Sequence, residues 1–479
     1  MNDHGYSLTK TDNGDVILVG TGYYENNTGH HGLADIYAIR IDSFGNVVWK
    51  KYYGGSDTDN GFDIVKGMGD EYVITGQSDS NDGDVTGNEG YYDIWVFKIN
   101  GSGDIIWQKT FGGDNWEISK GIDKTSDGNF VIVGETNSDN GDLLGSNLHK
   151  FYGRIIGTDI WVIKIDTNGN IIWQTCLGGT EYERGAAIHA SSSGNLYVTG
   201  HSDSYDGDLN WTYGSNDAWV VKLNENGNIL WQKQIGGWSD DIPQGIAESA
   251  SGDVVVTGYT FSPSVFSVEN HGYGYGDCFI SKLDKNNGNV LWTKLLGGTW
   301  HEEGFKISLC PDGELLLMAT SNSTDGDVVG GFREVGIMRN SGAWLIKMAE
   351  NGDITWQKPF GSNNNYNQIG KAIFTNSQEF VFYLYDSFVD EDGIRKNSGT
   401  SVVSFSFKNC PNQIALLTTS ENLTQNINPV LKSKNTIKLS NTFDSDINVS
   451  FSAGKSIFIN PGVVIKQGAV FKADIQECQ

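Results

Sequence analysis

The chain has 479 residues, a formal charge of −26, 12% aromatic residues, 62 glycines and only 7 prolines. That composition excludes a disordered chain and fits a turn-dense β protein. The acidity argues against nucleic acid and anionic membrane surfaces, because phosphate neutralisation needs clustered Lys and Arg. It leaves cations, basic proteins and neutral glycans as partners. No apolar stretch approaches the ~20 residues that cross a bilayer, so no direct membrane insertion is expected. Met1-Asn2-Asp3-His4-Gly5 has neither the basic head nor the apolar core of a signal peptide. Either the protein is cytosolic or an export signal has been removed. Cys176, Cys278 and Cys310 fall in or beside apolar strand patterns and read as small core residues, while Cys410 and Cys478 flank the C-terminal remainder and are open to pairing.

Tryptophans recur at Trp49, Trp107, Trp173, Trp231, Trp292 and Trp356, at spacings of 58, 66, 58, 61 and 64 residues. A fixed period with slack means one structural unit copied with insertions confined to loops. In the second unit the pattern predicts strand A over Gly61 to Lys66, strand B over Glu71 to Gly76, strand C over Asp93 to Ile99 and strand D over Asp104 to Lys109. The A–B and C–D connections are tight, as in Asp127-Gly128-Asn129 and Asn168-Gly169-Asn170, which supply the positive φ a hairpin needs. Four antiparallel strands repeated radially make a β-propeller blade. Seven A–B–C sets are visible. The seventh, with Lys371 to Thr375, Glu379 to Tyr385 and Thr400 to Phe407, lacks Gly-Asn-x-x-Trp and takes Gln413 to Thr418 as its outer strand. The fold class is therefore all-β: a seven-bladed β-propeller of four-stranded blades over 1–418, a polar linker over 419–430, and a small C-terminal β module over 431–479. The first strand A opens the chain, so each blade is complete in sequence order.

At these residues the chain resembles known families. Lys282-Leu-Asp-Lys-Asn-Asn-Gly-Asn-Val-Leu-Trp292-Thr-Lys-Leu-Leu-Gly-Gly298 is similar to the tryptophan-docking repeat of pyrroloquinoline-quinone dehydrogenases and outer-membrane assembly propellers. The fuller string, with Gly-Gly, Ser-Asp-Gly-Asp and Asp-x-Trp-Val-x-Lys, resembles repeat propellers of secreted and surface proteins of Bacteroidota. That resemblance covers about residues 5 to 408. It implies a propeller and an exported location, secreted or on the cell surface, but no activity. Asp42 to Trp49 resembles the sialidase Asp-box but lacks its Ser/Thr and the Thr before the Trp. The tail is similar to a small module of the same surface proteins. This implies type IX secretion and attachment machinery as a partner of the C-terminal module.

The long B–C loops and the D–A corners emerge on one face, where a rigid scaffold best displays function. Four residues after the second glycine of each Gly-Gly stand Asp59, Glu117, Glu183, Asp241 and Glu302, with Tyr366 at the sixth corner. They read either as a ring of acids at the channel mouth that gathers cations, or as caps on local backbone N–H groups. The B–C loops repeat [Asp/Asn]-Ser-x-[Asp/Asn]-Gly-Asp-[Val/Leu] at Asp79–Val85, Asn137–Leu143, Asp203–Leu209 and Asn322–Val328. Oxygen ligands at positions four and six would be Asp82, Asp84, Asp142, Asp206, Asp208, Asp325 and Asp327. They read either as part of a calcium loop without its closing Glu, or as an Asx-type turn. No organic cofactor is expected.

Trp116, Tyr182, Trp238 and Trp300 follow Gly-Gly by one to three residues, and Tyr91, Tyr92, Tyr152, Trp211, Tyr213, Tyr273 and Tyr275 fall in B–C loops. Aromatic planes beside carboxylates suit sugar rings and protein hot spots alike, or pack between blades. His30, His31, His149, His271 and His301 lie in loops without metal spacing, and no Gly-x-Ser-x-Gly elbow exists. The leading expectation is a non-catalytic binding protein for a glycan or protein partner. The alternatives are a carbohydrate-active enzyme, glycosidase or lyase, whose site would lie among the least regular loops (Asn140–Thr158, Thr260–Asp277, Asp325–Ser341), and a structural spacer.

Overall fold

A computed structural model describes residues 2–23, 29–42, 46–150, 157–209, 213–271, 275–329 and 342–360. Beyond these it gives the backbone of the strands Asn365–Asn376, Glu379–Val389, Arg395–Ser406, Gln413–Thr418, Val430–Ser433, Thr436–Leu439, Asn448–Ala453, Ser456–Ile459 and Val470–Ile475. Side chains are described between Tyr6 and Pro359.

Alternating β-branched and aromatic residues between Gly, Asp and Asn turns form strands close to those expected. Blade 2 runs Asp59–Lys66, Glu71–Ser78, Asp93–Asn100 and Ile105–Phe111, each antiparallel to the next. Six such four-stranded sheets span residues 2–53, 59–111, 117–177, 183–235, 241–296 and 302–360. Strand A of each blade packs on strands A, B and C of the blade before it. The seventh station corrects the expectation of a seventh discrete four-stranded blade. Asn365–Asn376, Glu379–Val389, Arg395–Ser406 and Gln413–Thr418 do form an antiparallel set, packed between blade 6 and the first strand of blade 1. But Gln413–Thr418 goes on to pair in parallel with Thr436–Leu439, which pairs with Ser456–Ile459, giving a six-stranded sheet. A three-stranded parallel sheet of Val430–Ser433, Asn448–Ala453 and Val470–Ile475 completes the described tail. Residues 419–429 of the expected linker, and Cys410 and Cys478, lie outside the described residues.

The core lies between blades. Between blades 2 and 3, Val73, Ile94, Val96 and Phe111 meet Ile122, Phe130, Ile132, Trp161 and Ile163, all buried. The strand C tryptophans Trp95, Trp161, Trp219 and Trp344 are fully buried, and each donates its indole N–H to a Gln on strand D: Gln108, Gln174, Gln232 and Gln357. This explains why Gln follows the second tryptophan of the repeat. That second tryptophan is an inter-blade dock rather than a wholly buried core residue. The N–H groups of Trp49, Trp107, Trp173, Trp231 and Trp292 donate to carbonyls in the C–D turn of the next blade, at Gly101, Thr167, Glu225, Lys285 and Glu350. The glycine of that turn lies against the indole. Gly169 has φ +82°, and a β-carbon built there would meet the Trp107 ring at 3.0 Å.

Two glycine substitutions separate the turn's backbone demand from the docking contact. Gly128 has φ +86° and nothing within 4 Å of an added β-carbon. Gly128→Ala should therefore cost only the left-handed penalty of about 1–2 kcal/mol. Gly169→Ala should cost about 1–3 kcal/mol more, because it also pushes on Trp107. Urea unfolding of both variants measures the difference; equal losses would mean the tryptophan dock contributes nothing there.

Candidate functional site: the Gly-Gly corners and the long-loop face

The Gly-Gly corner reverses the chain between blades and buries its own backbone N–H groups, which need acceptors. The acid that opens the next strand A supplies one. Asp59, Glu117, Glu183, Asp241 and Glu302 are all buried and accept the N–H of Gly55, Gly113, Gly179, Gly237 and Gly298 at 2.8 to 2.9 Å. They also accept hydroxyl hydrogen bonds: Ser78 and Ser80 to Asp59, Thr136 to Glu117, Ser202 to Glu183, Ser262 to Asp241 and Ser321 to Glu302. The expected acid ring does not face an open mouth, and the capping alternative describes these residues. Tyr366 lies on the strand Asn365–Asn376, and its side chain is outside the described residues.

The B–C string is the corner's second fastening. Its Ser accepts a corner N–H, as in Asp57 to Ser80, Asn115 to Ser138, Glu181 to Ser204 and Trp300 to Ser323. Position four accepts the N–H just after Gly-Gly: Ser56 to Asp82, Asp114 to Asn140, Thr180 to Asp206 and Thr299 to Asp325. Asn140 serves as well as an aspartate, which marks a hydrogen-bond acceptor rather than a charge. At position six, Asp84, Asp142, Asp208 and Asp327 accept the N–H of the first glycine, at 3.4 Å in the first corner and 3.2 Å in the others. The seven carboxylates expected as calcium ligands are thus engaged with corner backbone. Among the described residues no group of three or more His, Cys, Asp or Glu stands arranged to hold a metal ion.

Sequence reasoning missed a second buried acid, the Asp that opens strand C in Asp-x-Trp. Asp35, Asp93, Asp159, Asp217 and Asp277 are buried, and each takes a backbone N–H from the B–C loop: His31, Glu89, His149, Tyr213 and His271 respectively. The Oδ1 atoms of Asp35, Asp93, Asp217 and Asp277 have no hydrogen-bond partner. The signal was present in the repeat, since an acid was as regular there as the tryptophan beside it. At each of the five described corners the first glycine sits between the two acids. A β-carbon on Gly112 would lie 2.2 Å from Asp93 Oδ1 and 2.6 Å from Glu117 Oε2. Burial raises both sets, and the like charge nearby adds to it. Asp93, Glu183 and Asp217 are pushed up to about 7, and Asp59 to about 6. Three corners set histidine against this charge, His31 in the first and, each reaching two acids, His149 and His271 in the third and fifth. His149 contacts Asp159 at 3.1 Å and Asp208 at 3.8 Å, and His271 contacts Asp277 at 2.7 Å and Asp327 at 3.6 Å. Both imidazoles are held above their ordinary pKa, His149 chiefly by its hydrogen bond to Asp159; at His271 burial pulls the other way and is outweighed by the Asp277 hydrogen bond together with the charges of Asp277, Asp327 and Glu302.

The aromatics of this face are exposed. Trp238 is 88% exposed and Trp116 54%; Tyr182, Tyr91 and Tyr275 are exposed too. Trp116 meets Tyr91 edge to face at 6.5 Å, and the half-buried Trp300 meets Tyr275 at 4.8 Å. The irregular fifth B–C loop carries a short hairpin, Ser264–Val265 with Val268–Glu269, whose tip residues Phe266 and Ser267 have φ of +46° and +66°. Tyr213 stands edge to face with Phe266. Trp211, Tyr152 and Tyr273 lie outside the described residues. On the opposite, tight-turn face is a shallow depression of 360 Å³ lined by Met68, Gly69, Glu71, Lys98, Phe130 and Thr167.

No known family profile matches the chain. An uncharacterized WD repeat-containing protein of Acanthamoeba polyphaga mimivirus is 21% identical over 356 residues, which cover 61% of this chain and 24% of the relative. The chain thus spans about a quarter of that protein's length. Among solved structures, a protein of unknown function from Dyadobacter fermentans aligns with a TM-score of 0.40 at 10% identity, over 84% of this chain and 94% of its own. Quinohemoprotein alcohol dehydrogenase from Comamonas testosteroni aligns at 0.41 and 11%, over 84% and 65%. Drosophila Plexin A, in complex with Semaphorin 1b, aligns at 0.41 and 9%, over 85% and 86%. Likenesses this distant carry no argument about activity. Among the described residues no helix is long and apolar enough to cross a membrane.

The paired acids fix the sign of a pH effect. The folded pKa of Asp217, about 7, lies above the ordinary carboxylate value, so its contribution is fully present below about pH 4 and is lost as pH rises through 7. Asp217→Asn keeps an acceptor for Tyr213 and removes the charge. The variant should melt above the parent at pH 8, with about 4 kcal/mol as the ceiling. The advantage should vanish toward pH 4. A variant less stable than the parent at pH 8 would show that the ionised pair is not under strain.

Proposed function

We propose that this protein is a non-catalytic binding propeller, secreted or at the cell surface, that recognises a glycan through the aromatic side chains of its long-loop face. One observation carries the reading: these aromatics are surplus to folding. Thr58, Trp116 and Tyr182 occupy the same place in successive corners, each forming the same parallel bridge to the start of strand C in the preceding blade, at Ala34, Tyr92 and Thr158. The corner's Ser and carboxylate hydrogen bonds are the same around Thr58 as around Trp116. A threonine closes the corner as well as a tryptophan. Likewise Trp238 stands where other corners have Ser56, Asp114, Thr180 and Thr299, and projects into solvent. Large aromatic faces that nothing in the fold requires are suited to stacking on the C–H faces of sugar rings, with neighbouring polar groups for the hydroxyls. The acidity of the chain favours neutral glycans over acidic ones. The exported location rests on the resemblance of the repeat. A protein partner fits the same aromatics and is the second outcome of the test below.

A glycan array on the whole protein, followed by titration of the best ligand, tests this reading. Trp238→Ala and Trp116→Ala should each weaken binding by about 2 kcal/mol, roughly thirtyfold, while leaving the melting temperature nearly unchanged. Full affinity in both variants, or large destabilisation in both, would remove the reading's support. A blank array with capture of a specific protein would move the site to the second partner class.

A further inference from the structure

One layer of the repeat changes from blade to blade. The strand B residue opposite the second residue of strand A is Gln77, Glu135, His201, Tyr259 or Thr320 in blades 2 to 6. Closure does not fix these identities, since the acid beside them makes the same corner bond in each blade. Strands A of successive blades pack on one another, so this layer lies at the inner, long-loop end of the ring. In three successive blades it buries a polar atom with no hydrogen-bond partner among the described residues: Gln77 Oε1, Glu135 Oε2 and His201 Nδ1. Glu135 is only 6% exposed, and a polar atom placed so deep needs a partner. In blades 3 and 4 cations stand with them. Arg184, paired across the strands with His201, is exposed. Among the described residues its guanidinium makes no hydrogen bond or ion pair, although the chain carries a charge of −26. Lys120 lies 3.5 Å from Oε1 of Glu135 and balances that carboxylate, leaving Oε2 as an acceptor. Burial, then Arg184, then Lys120 push His201 down to about 4, while Asp240 from the following corner pulls the other way. His201 is therefore a neutral imidazole at pH 7, with one unpaired guanidinium beside it.

We propose that the inner layer of blades 3 and 4 binds a monovalent hydroxy-carboxylate of the uronic acid kind, Arg184 taking the carboxylate while Glu135 and His201 take hydroxyls. The planar guanidinium suits a carboxylate, which it grips with two parallel hydrogen bonds. A single negative charge matches a single free cation. A doubly charged anion would face Glu135 and Asp240 with nothing left to balance it. Glu135 Oε2 accepts from a hydroxyl, and Nδ1 of a neutral His201 accepts or donates according to its tautomer. The site shares no residue with the exposed aromatics, so it stands apart from the glycan reading. The same chemistry is offered by a free sugar acid and by the acidic end of a glycan.

The test titrates the whole chain at pH 7 by calorimetry with sodium glucuronate, glucose, inorganic phosphate and a disaccharide ending in glucuronate. One glucuronate should bind per chain. Glucose, which keeps the hydroxyls without the charge, and phosphate, which lacks the ring, should each bind roughly tenfold more weakly or worse. Arg184→Gln alters an exposed side chain that the fold does not use. It should leave the melting temperature unchanged and weaken glucuronate by roughly tenfold or more. Trp238→Ala should leave glucuronate affinity as it was. The disaccharide separates the two sources: affinity kept or raised assigns the site to a glycan end, and affinity lost assigns it to the free acid. No binding of glucuronate, equal binding of glucose, or full affinity in Arg184→Gln would overturn the proposal. Equal binding of phosphate would overturn the carboxylate assignment. Loss of glucuronate in Trp238→Ala would place the acid at the corner aromatics and overturn the proposed site.

Discussion

Everything in this ring hangs on one constraint: the chain must pass from the outer strand of one blade to the inner strand of the next through a buried Gly-Gly reversal. The reversal exposes N–H groups to a dry interior, and each needs an acceptor. The position-six aspartate, the acid that opens strand A, and the position-four acceptor and Ser of the B–C loop take them in order. The first glycine is required because two carboxylates close on it. In the first five corners an added β-carbon would stand 3.0 Å or less from both, so any side chain would have to displace a buried acid. The positive φ of Gly83, Gly141, Gly207 and Gly326 in the B–C string serves the same closure, since a β-carbon there would strike the carbonyl of that first glycine.

Fastening the ring with acids has an electrostatic cost. Two carboxylates face one glycine at each of these corners, and burial raises their pKa values toward neutrality. Removing solvent from a charge is expensive unless a partner compensates it. The chain answers in more than one way. Hydroxyls and backbone N–H groups support the strand A acids. Histidines held above their ordinary pKa lie on the acids at the corners of blades 3 and 5. Compensation is thus a property of each corner and not of the repeat, so the ring is regular in backbone and uneven in charge.

The propeller was legible because its determinants are local and repeated: strand periodicity, Asn-Gly turns and a tryptophan at a fixed offset. The blade 2 strands fall within two residues of their sequence boundaries, and Gln413–Thr418 is the outer strand the sequence suggested. What was not legible depends on three-dimensional pairing. An acid every sixty residues fits a ligand ring as well as a cap, and only burial separates the two. Ser-x-Asp-Gly-Asp has the composition of a calcium loop, but its oxygens meet backbone N–H groups some 26 and 30 residues away in sequence. The parallel pairing of Gln413–Thr418 with Thr436–Leu439 leaves no trace in a pattern that reports periodicity but not partner.

A repeat this regular also separates folding from function. Residues that the first five corners share are explained by closure: the glycines, the paired acids and the Ser of the clasp, to which four blades add the Trp–Gln pair. Information beyond the fold must lie where one copy departs from its sisters without breaking those bonds. Trp238 in place of Ser or Thr, Trp116 and Tyr182 in place of Thr58, and the Phe266–Ser267 hairpin tip at positive φ are such departures. All lie at the long-loop end of the blades, where closure has already fixed the backbone. An aromatic added there alters recognition while the hydrogen bonds beneath it stay the same. The ring's rigidity is what frees its corners to vary.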